Sequence, residues 1–286
     1  MKKLVIISML FCLAQVVTAQ KLKKIWEVQT LEAPESVVYH NGAYYVSNVS
    51  GQPAEKNEKG FITKLNSKGE IIQLKWLEGF NAPKGLGIFK NYLYVADIDQ
   101  VGLVNLNTGE IEKWYVAEGA TFLNDVEIGP TGTVYISDTF GGNAIYKIEQ
   151  DTIELLVKDD KLDYPNGLKL DGNLLYVATW GVVTNPETFG TEVPGALIAL
   201  DLQDNSIKSV TNSFGNLDGL VKYKNGFIVS DWISGAISAI DSRGQVSSLE
   251  QIRPGTADME YLEKENILLI PQMLDGKLTA YQVNDN

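Results

Sequence analysis

Short apolar runs separated by tight turns recur along this chain, and no segment carries the periodicity of an amphipathic helix. Six segments share one plan: a small or turn residue, an apolar run, a turn, and a second apolar run. They are Ala33–Asn48, Ala82–Asp97, Phe122–Asp138, Tyr164–Thr179, Asn216–Asp231 and Thr256–Gln272. Taking Val46, Val95, Ile136, Val177, Val229 and Ile270 as equivalent spaces the repeats by 41 to 52 residues. Self-similarity at that period in a β-rich chain predicts a propeller.

Asn41-Gly42, Asp171-Gly172 and Asn225-Gly226 supply the positive φ angles of type I′ hairpins. A third strand follows each pair, opened in turn by Gly60, Gly102, Asn143, Gly195, Gly235 and Gly276. A fourth, such as Glu70–Trp76 or Thr152–Lys158, follows in five repeats. The sixth repeat runs out of chain after Val283, while Leu22–Thr30 belongs to no blade. Pairing the two closes the ring and removes open sheet edges. The expected fold is all-β: a six-bladed β-propeller of four antiparallel strands per blade, its last blade closed by the N-terminal strand. Residues 20–286 form one domain.

The first 19 residues read as a signal peptide. Lys2 and Lys3 precede an apolar stretch, Leu4–Val17, and Val17-Thr18-Ala19 is a small-residue cleavage site. The stretch is too short to span a bilayer, so no membrane insertion is expected. Export to the periplasm or the extracellular space follows. The only cysteine, Cys12, leaves with the leader, which removes disulfides, thiol nucleophiles and thiolate metal sites. Of 24 basic residues, losing Lys2 and Lys3 leaves 22 against 36 acidic ones, a net charge of −14. Such a chain repels nucleic acid.

The first two strands of a blade are antiparallel, so the start of one and the end of the other share a face. The residues opening the innermost strands are Glu35, Lys84, Asp125, Asn166, Asp218 and Met259, with Asn124 and Asp258 one position earlier. The longer turn Gly129-Pro130-Thr131-Gly132 makes Asn124 the equivalent in the third repeat. Glu35, Asn124, Asn166 and Asp218 are therefore expected to converge on the channel mouth. Carboxylate and amide oxygens suit a hard cation. Asn and Asp are also ordinary turn formers, and spacing alone leaves both readings open.

Ala33-Pro34-Glu35-Ser36-Val37, Leu123-Asn124-Asp125, Tyr164-Pro165-Asn166-Gly167-Leu168 and Leu217-Asp218-Gly219-Leu220 follow in order, one per blade. They resemble the signature segments of the regucalcin/gluconolactonase (senescence-marker-protein) propellers, over essentially the whole chain after the leader. The resemblance implies a divalent cation at the channel mouth, Ca²⁺ first, with Mg²⁺, Mn²⁺ or Zn²⁺ as alternatives, and lactone hydrolysis. By that analogy Glu35, Asn166 and Asp218 match the ion's ligands. Asn124 matches a residue touching ion or substrate, and Asp218 also the catalytic base or nucleophile. Two departures are Ser36, where the family has Glu-Gly-Pro, and Lys84, a cation in the ring. Lys84 either binds an anionic substrate group or neutralises surplus carboxylates.

The only histidine, His40, sits at a hairpin turn on the opposite face, so histidine triads and His-ligated zinc are excluded. Trp180 and Trp232 follow second strands and form either a substrate wall or inter-blade packing. The insertions Val49–Lys59 and Gly181–Pro194 are candidate lids on the same face. Asp97, Asp138 and Asp231 recur at one position and are expected to bond loop amides. The readings that follow are a metal-dependent lactonase acting on a small-molecule substrate such as a sugar lactone, an ester or phosphotriester hydrolase on the same ion, and a non-catalytic binding propeller.

Overall fold

The computed structural model describes residues 21–185 and 187–284. The expected leader, with Cys12, lies outside the described residues. Six four-stranded antiparallel sheets form the ring. The inner two strands of blades one to three are Pro34–His40 with Ala43–Asn48, Pro83–Phe89 with Tyr92–Asp97, and Leu123–Ile128 with Val134–Asp138. In blades four to six they are Pro165–Asp171 with Leu174–Thr179, Leu217–Tyr223 with Gly226–Asp231, and Glu260–Leu262 with Ile267–Gln272.

The expected closure is present. Leu22–Val28 pairs antiparallel with Lys277–Val283 as the outer strand of blade six, from Leu22 opposite Val283 to Val28 opposite Leu278. Leu22 is fully buried, so this strand is sealed by packing as well as by its ladder.

Burial explains the sequence pattern. A second strand such as Ala43–Asn48 is buried along its whole length, because a neighbouring blade covers each face. An outer strand such as Thr152–Lys158 is exposed or half-exposed throughout, so its apolar signal is weaker. The core is accordingly a set of wedges between blades. One packs Ala96 and Val101 of blade two against Leu123, Val126 and Ile136 of blade three. Another packs Val28, Leu269 and Leu278 of blade six against Val37 and Tyr44 of blade one.

Two of the three turns differ from expectation. Asn41 and Gly42 both have positive φ, 48° and 83°, as type I′ requires. Asp171, however, pairs with Leu174, so the loop is Gly172-Asn173. Tyr223 pairs with Gly226, so the other loop is Lys224-Asn225. In each shifted loop only the first residue has positive φ, so that residue, not the Asn-Gly or Asp-Gly pair, sets the register. The third strands also start differently. Asn143, Gly235 and Gly276 adopt left-handed φ angles of 51°, 75° and 63°, which keeps them just outside the ladder; Gly195 too lies before its strand, and Gly102 lies within one.

The insertion after blade four's second strand carries an unforeseen two-stranded ribbon, Val183–Asn185 with Gly190–Thr191. Among the described residues no helix is long and apolar enough to cross a membrane.

Candidate active site

The innermost strands enter the channel mouth through a repeated irregularity. In blades one to five, two residues of the first strand oppose one of the second, as between the pairs Pro34–Asn48 and Val37–Val46 and between Leu217–Asp231 and Leu220–Val229. Each is a β-bulge, which re-aims side chains out of the normal alternation. The first bulged residues are Glu35, Lys84, Asn124, Asn166 and Asp218, and all five line one cavity of about 110 Å³.

The second bulged position fastens the blades together. Gly167 has no room for a side chain, since a Cβ there would lie 2.1 Å from the Asp218 carbonyl oxygen. Gly85 and Gly219 are similarly pressed against the Asn124 carbonyl and the Met259 amide, at 2.4 and 2.6 Å. Where the position is not glycine, the side chain reaches across. The Ser36 hydroxyl donates to Asp258 Oδ2 at 2.6 Å and accepts from the Leu86 amide at 3.3 Å. Asp125 Oδ2 accepts from the Leu168 amide at 2.5 Å. The loose amide of the bulge is itself satisfied where the second strand offers serine: Ser36, Asp125 and Gly219 donate to Ser47, Ser137 and Ser230 at 2.8–2.9 Å. Ser36, the departure from the family pattern, is thus a structural bridge.

Asn124 is the third blade's contribution to the mouth. Asp125 instead faces the far half of the channel, a void of about 230 Å³ that Asp258, Glu127, Glu260 and Lys169 also line. Blade six presents neither Asp258 nor Met259 to the mouth; its contribution is Met273.

Within the site, Asn124 Nδ2 donates to Asn166 Oδ1 at 2.7 Å and to Thr139 Oγ1 at 3.1 Å, and Asn166 Nδ2 donates to the Leu217 carbonyl at 3.3 Å. Two carboxylate oxygens, Glu35 Oε2 and Asp218 Oδ1, are buried with no hydrogen-bond partner. Burial, then Asp218, pushes the Glu35 carboxyl well above the usual range, with Lys84 opposing. Burial, then Asp125 and Asp231, pushes Asp218 up to about 8. Unsatisfied buried acceptors are costly, and these are aimed at one small space beside two carboxamides. A hard divalent cation fits that donor set; Glu35, Asn166 and Asp218 would hold it, with Asn124 beside them.

Lys84 is 2 % exposed. Its ammonium donates to the Ala82 carbonyl at 3.2 Å and lies 4.3 Å from the Phe122 ring centroid. Burial lowers its pKa to about 8, against the pull of Glu35, Asp97 and Asp138. Of the recurring aspartates, Asp97 accepts from the Asn81 and Ala82 amides, Asp138 from those of Thr121 and Phe122, and Asp231 from that of Ser234.

Trp180 and Trp232 both line the cavity, their ring centroids 6.0 Å apart. The insertions supply Pro53 and Phe189, and Phe122, Phe140 and Met273 complete the wall. Met273 was legible: it stands three residues after Ile270, as Trp180 and Trp232 stand after Val177 and Val229. Phe140 is one step beyond that position, and Phe189 lies in a loop with no repeat counterpart.

No family model and no curated protein sequence matches this chain. Solved structures do. A gluconolactonase from Xanthomonas campestris superposes with a TM-score of 0.69 at 14 % identity, covering 95 % of this chain and 93 % of that one. A provisionally assigned gluconolactonase gives 0.66 at 16 %, covering 93 % of each. A virginiamycin B lyase from Staphylococcus aureus gives 0.60 at 15 %, covering 91 % of this chain and 99 % of that one. Gluconolactonase-family structures are therefore among its structural neighbours and share the six-bladed ring. At such identities the likeness concerns the fold.

Proposed function

We propose that this chain is an exported, metal-dependent hydrolase that opens a small lactone or ester at the mouth of its channel, with Ca²⁺ as the first-choice ion. The observation that carries the reading is the pair of buried, unpartnered oxygens, Glu35 Oε2 and Asp218 Oδ1, facing one cavity with two carboxamides. A scaffold with no ligand has no use for such a set, since each orphaned acceptor costs about 1–3 kcal/mol.

When bound, a divalent ion would polarise the substrate carbonyl and stabilise negative charge on its oxygen. Asp218 accepts a proton from the attacking water, whose oxygen bonds to the carbonyl carbon. The acyl C–O bond then breaks, and the proton passes to the departing alkoxide. One water is consumed, a lactone gives a hydroxy acid and an ester an acid and an alcohol, and Asp218 ends as it began. Glu35 and Asn166 keep the donor oxygens in place, and Asn124 orients Asn166 through their hydrogen bond. The aromatic wall excludes bulk water.

The test is turnover of a lactone panel by chelator-stripped protein titrated with Ca²⁺, Mg²⁺, Mn²⁺ and Zn²⁺, with Asp218→Asn alongside. Turnover restored by one ion and absent in the variant supports the reading and identifies the ion. Cation binding with no turnover leaves a ligand-binding propeller.

A further inference from the structure

Above the cavity lies a second, larger void on the same face. It measures about 820 Å³ and runs between the first insertion, Gln52–Lys56, and the loops at Ile98–Asp99 and Ala120–Phe122. The two spaces share four walls: Pro53, Phe122, Phe140 and Phe189. The shared rim is braced. The Trp180 indole donates to the Phe189 carbonyl at 2.9 Å, Phe140 and Phe189 stack with centroids 5.1 Å apart, and Lys56 pairs with Asp99 at 2.5 Å.

The chemistry of these walls is selective. Beyond the donor set and Lys84, the cavity offers rings, a proline and a methionine. A polyhydroxylated substrate would leave hydroxyls unpaired there, at the cost that desolvated polar groups carry. An alkyl or aryl group would instead gain from every methylene removed from water.

We propose, resting on the hydrolase reading above, that the substrate is an apolar lactone or ester: its carbonyl sits at Glu35, Asn166 and Asp218, and its alkyl or aryl substituent passes Phe140 and Phe189 into the outer groove. The groove is continuous with the site and matches a tail too large for the inner cavity. Polyhydroxylated lactones are poor substrates on this view.

The test is a chain-length series, γ-valerolactone, γ-octalactone and γ-decalactone, beside glucono-δ-lactone, with the restored metal protein. kcat/KM should rise roughly three- to fourfold per added methylene while the tail stays in the groove, with glucono-δ-lactone below all three. In Ala54→Trp, which fills the groove from its exposed edge, the ratio of γ-decalactone to γ-valerolactone kcat/KM should fall at least tenfold, at an unchanged melting temperature. A flat series, or glucono-δ-lactone as the best substrate, overturns the proposal while leaving the hydrolase reading intact. If no lactone is turned over, the hydrolase reading fails, and binding measured by tryptophan fluorescence judges the groove separately. Tighter binding with chain length that Ala54→Trp abolishes sustains it; equal binding of all four compounds overturns it.

Discussion

Asn124 and Asn166 are joined across the boundary between blades three and four by a 2.7 Å hydrogen bond, in which Asn124 Nδ2 donates to Asn166 Oδ1 and so fixes the orientation of the Asn166 carboxamide. Outer partners of this kind typically hold one or two orders of magnitude of metal affinity. Asn166→Ala should weaken binding of the activating cation about a hundredfold, and Asn124→Ala about tenfold, both read by calorimetric titration. Equal affinity in Asn124→Ala and wild type would refute the orienting role.

Lys84 puts a buried positive charge beside the proposed cation ligands. Replacing it with methionine keeps the stem's packing against Phe122 and removes the repulsion. Lys84→Met should bind the divalent ion about tenfold more tightly, on the order of the Coulomb energy of nearby charges at a moderate dielectric. A weaker-binding variant would instead mark Lys84 as an organiser of Glu35.

At the other end of the channel, burial pushes the half-buried Glu260 up to about 7, with Lys169 opposing and Glu127 reinforcing, while Asp125 and Asp258 line the same void. A carboxyl whose folded pKa lies above its unfolded 4.5 holds extra protons in the folded state, so its stability contribution is present at low pH and lost as pH rises through about 7. Glu260→Gln should therefore flatten the fall in stability between pH 5 and 8, by on the order of 1–2 kcal/mol after solvent screening. Urea unfolding at the two pH values measures it.

Gly167 tests the bulge. Its missing Cβ leaves room for the Asp218 carbonyl of the next blade, and that carbonyl is rigid backbone. Gly167→Ala should cost about 2–4 kcal/mol and lower the melting temperature by roughly 5–10 °C. It should also cut cation affinity, because Asn166 and Asp218 flank the displaced contact. An unshifted melting curve would mean that the blades part without penalty.

The ring and most of the mouth were legible because each rests on a periodic signal. Middle strands are buried on both faces, so their apolar runs are continuous, and counting back from Val46, Val177 and Val229 finds Glu35, Asn166 and Asp218. Asn124 against Asp125 was decided by turn length, and the structure upholds it. Less legible were the contacts made across blade boundaries. Ser36 looks like a lapse in a motif until its hydroxyl is seen bridging to Asp258 and Leu86. Asp171-Gly172 and Asn225-Gly226 misled because a two-residue loop can sit one residue either side of the expected pair. Phe189 and Pro53 come from insertions outside the repeat, where no periodicity speaks.

The pairing of Leu22–Val28 with Lys277–Val283 also makes ring closure a contact of very long range. Among the described strands the one that seals the ring comes first along the chain and its partner last, some 250 residues later. Until that partner arrives the ring stays open, with a vacant ladder in blade six, and contacts so distant along the chain form slowly. Closing the ring therefore requires a clasp between the two ends of the domain. Anything that delays or covers either end prolongs the interval in which the unsealed edges can capture another chain.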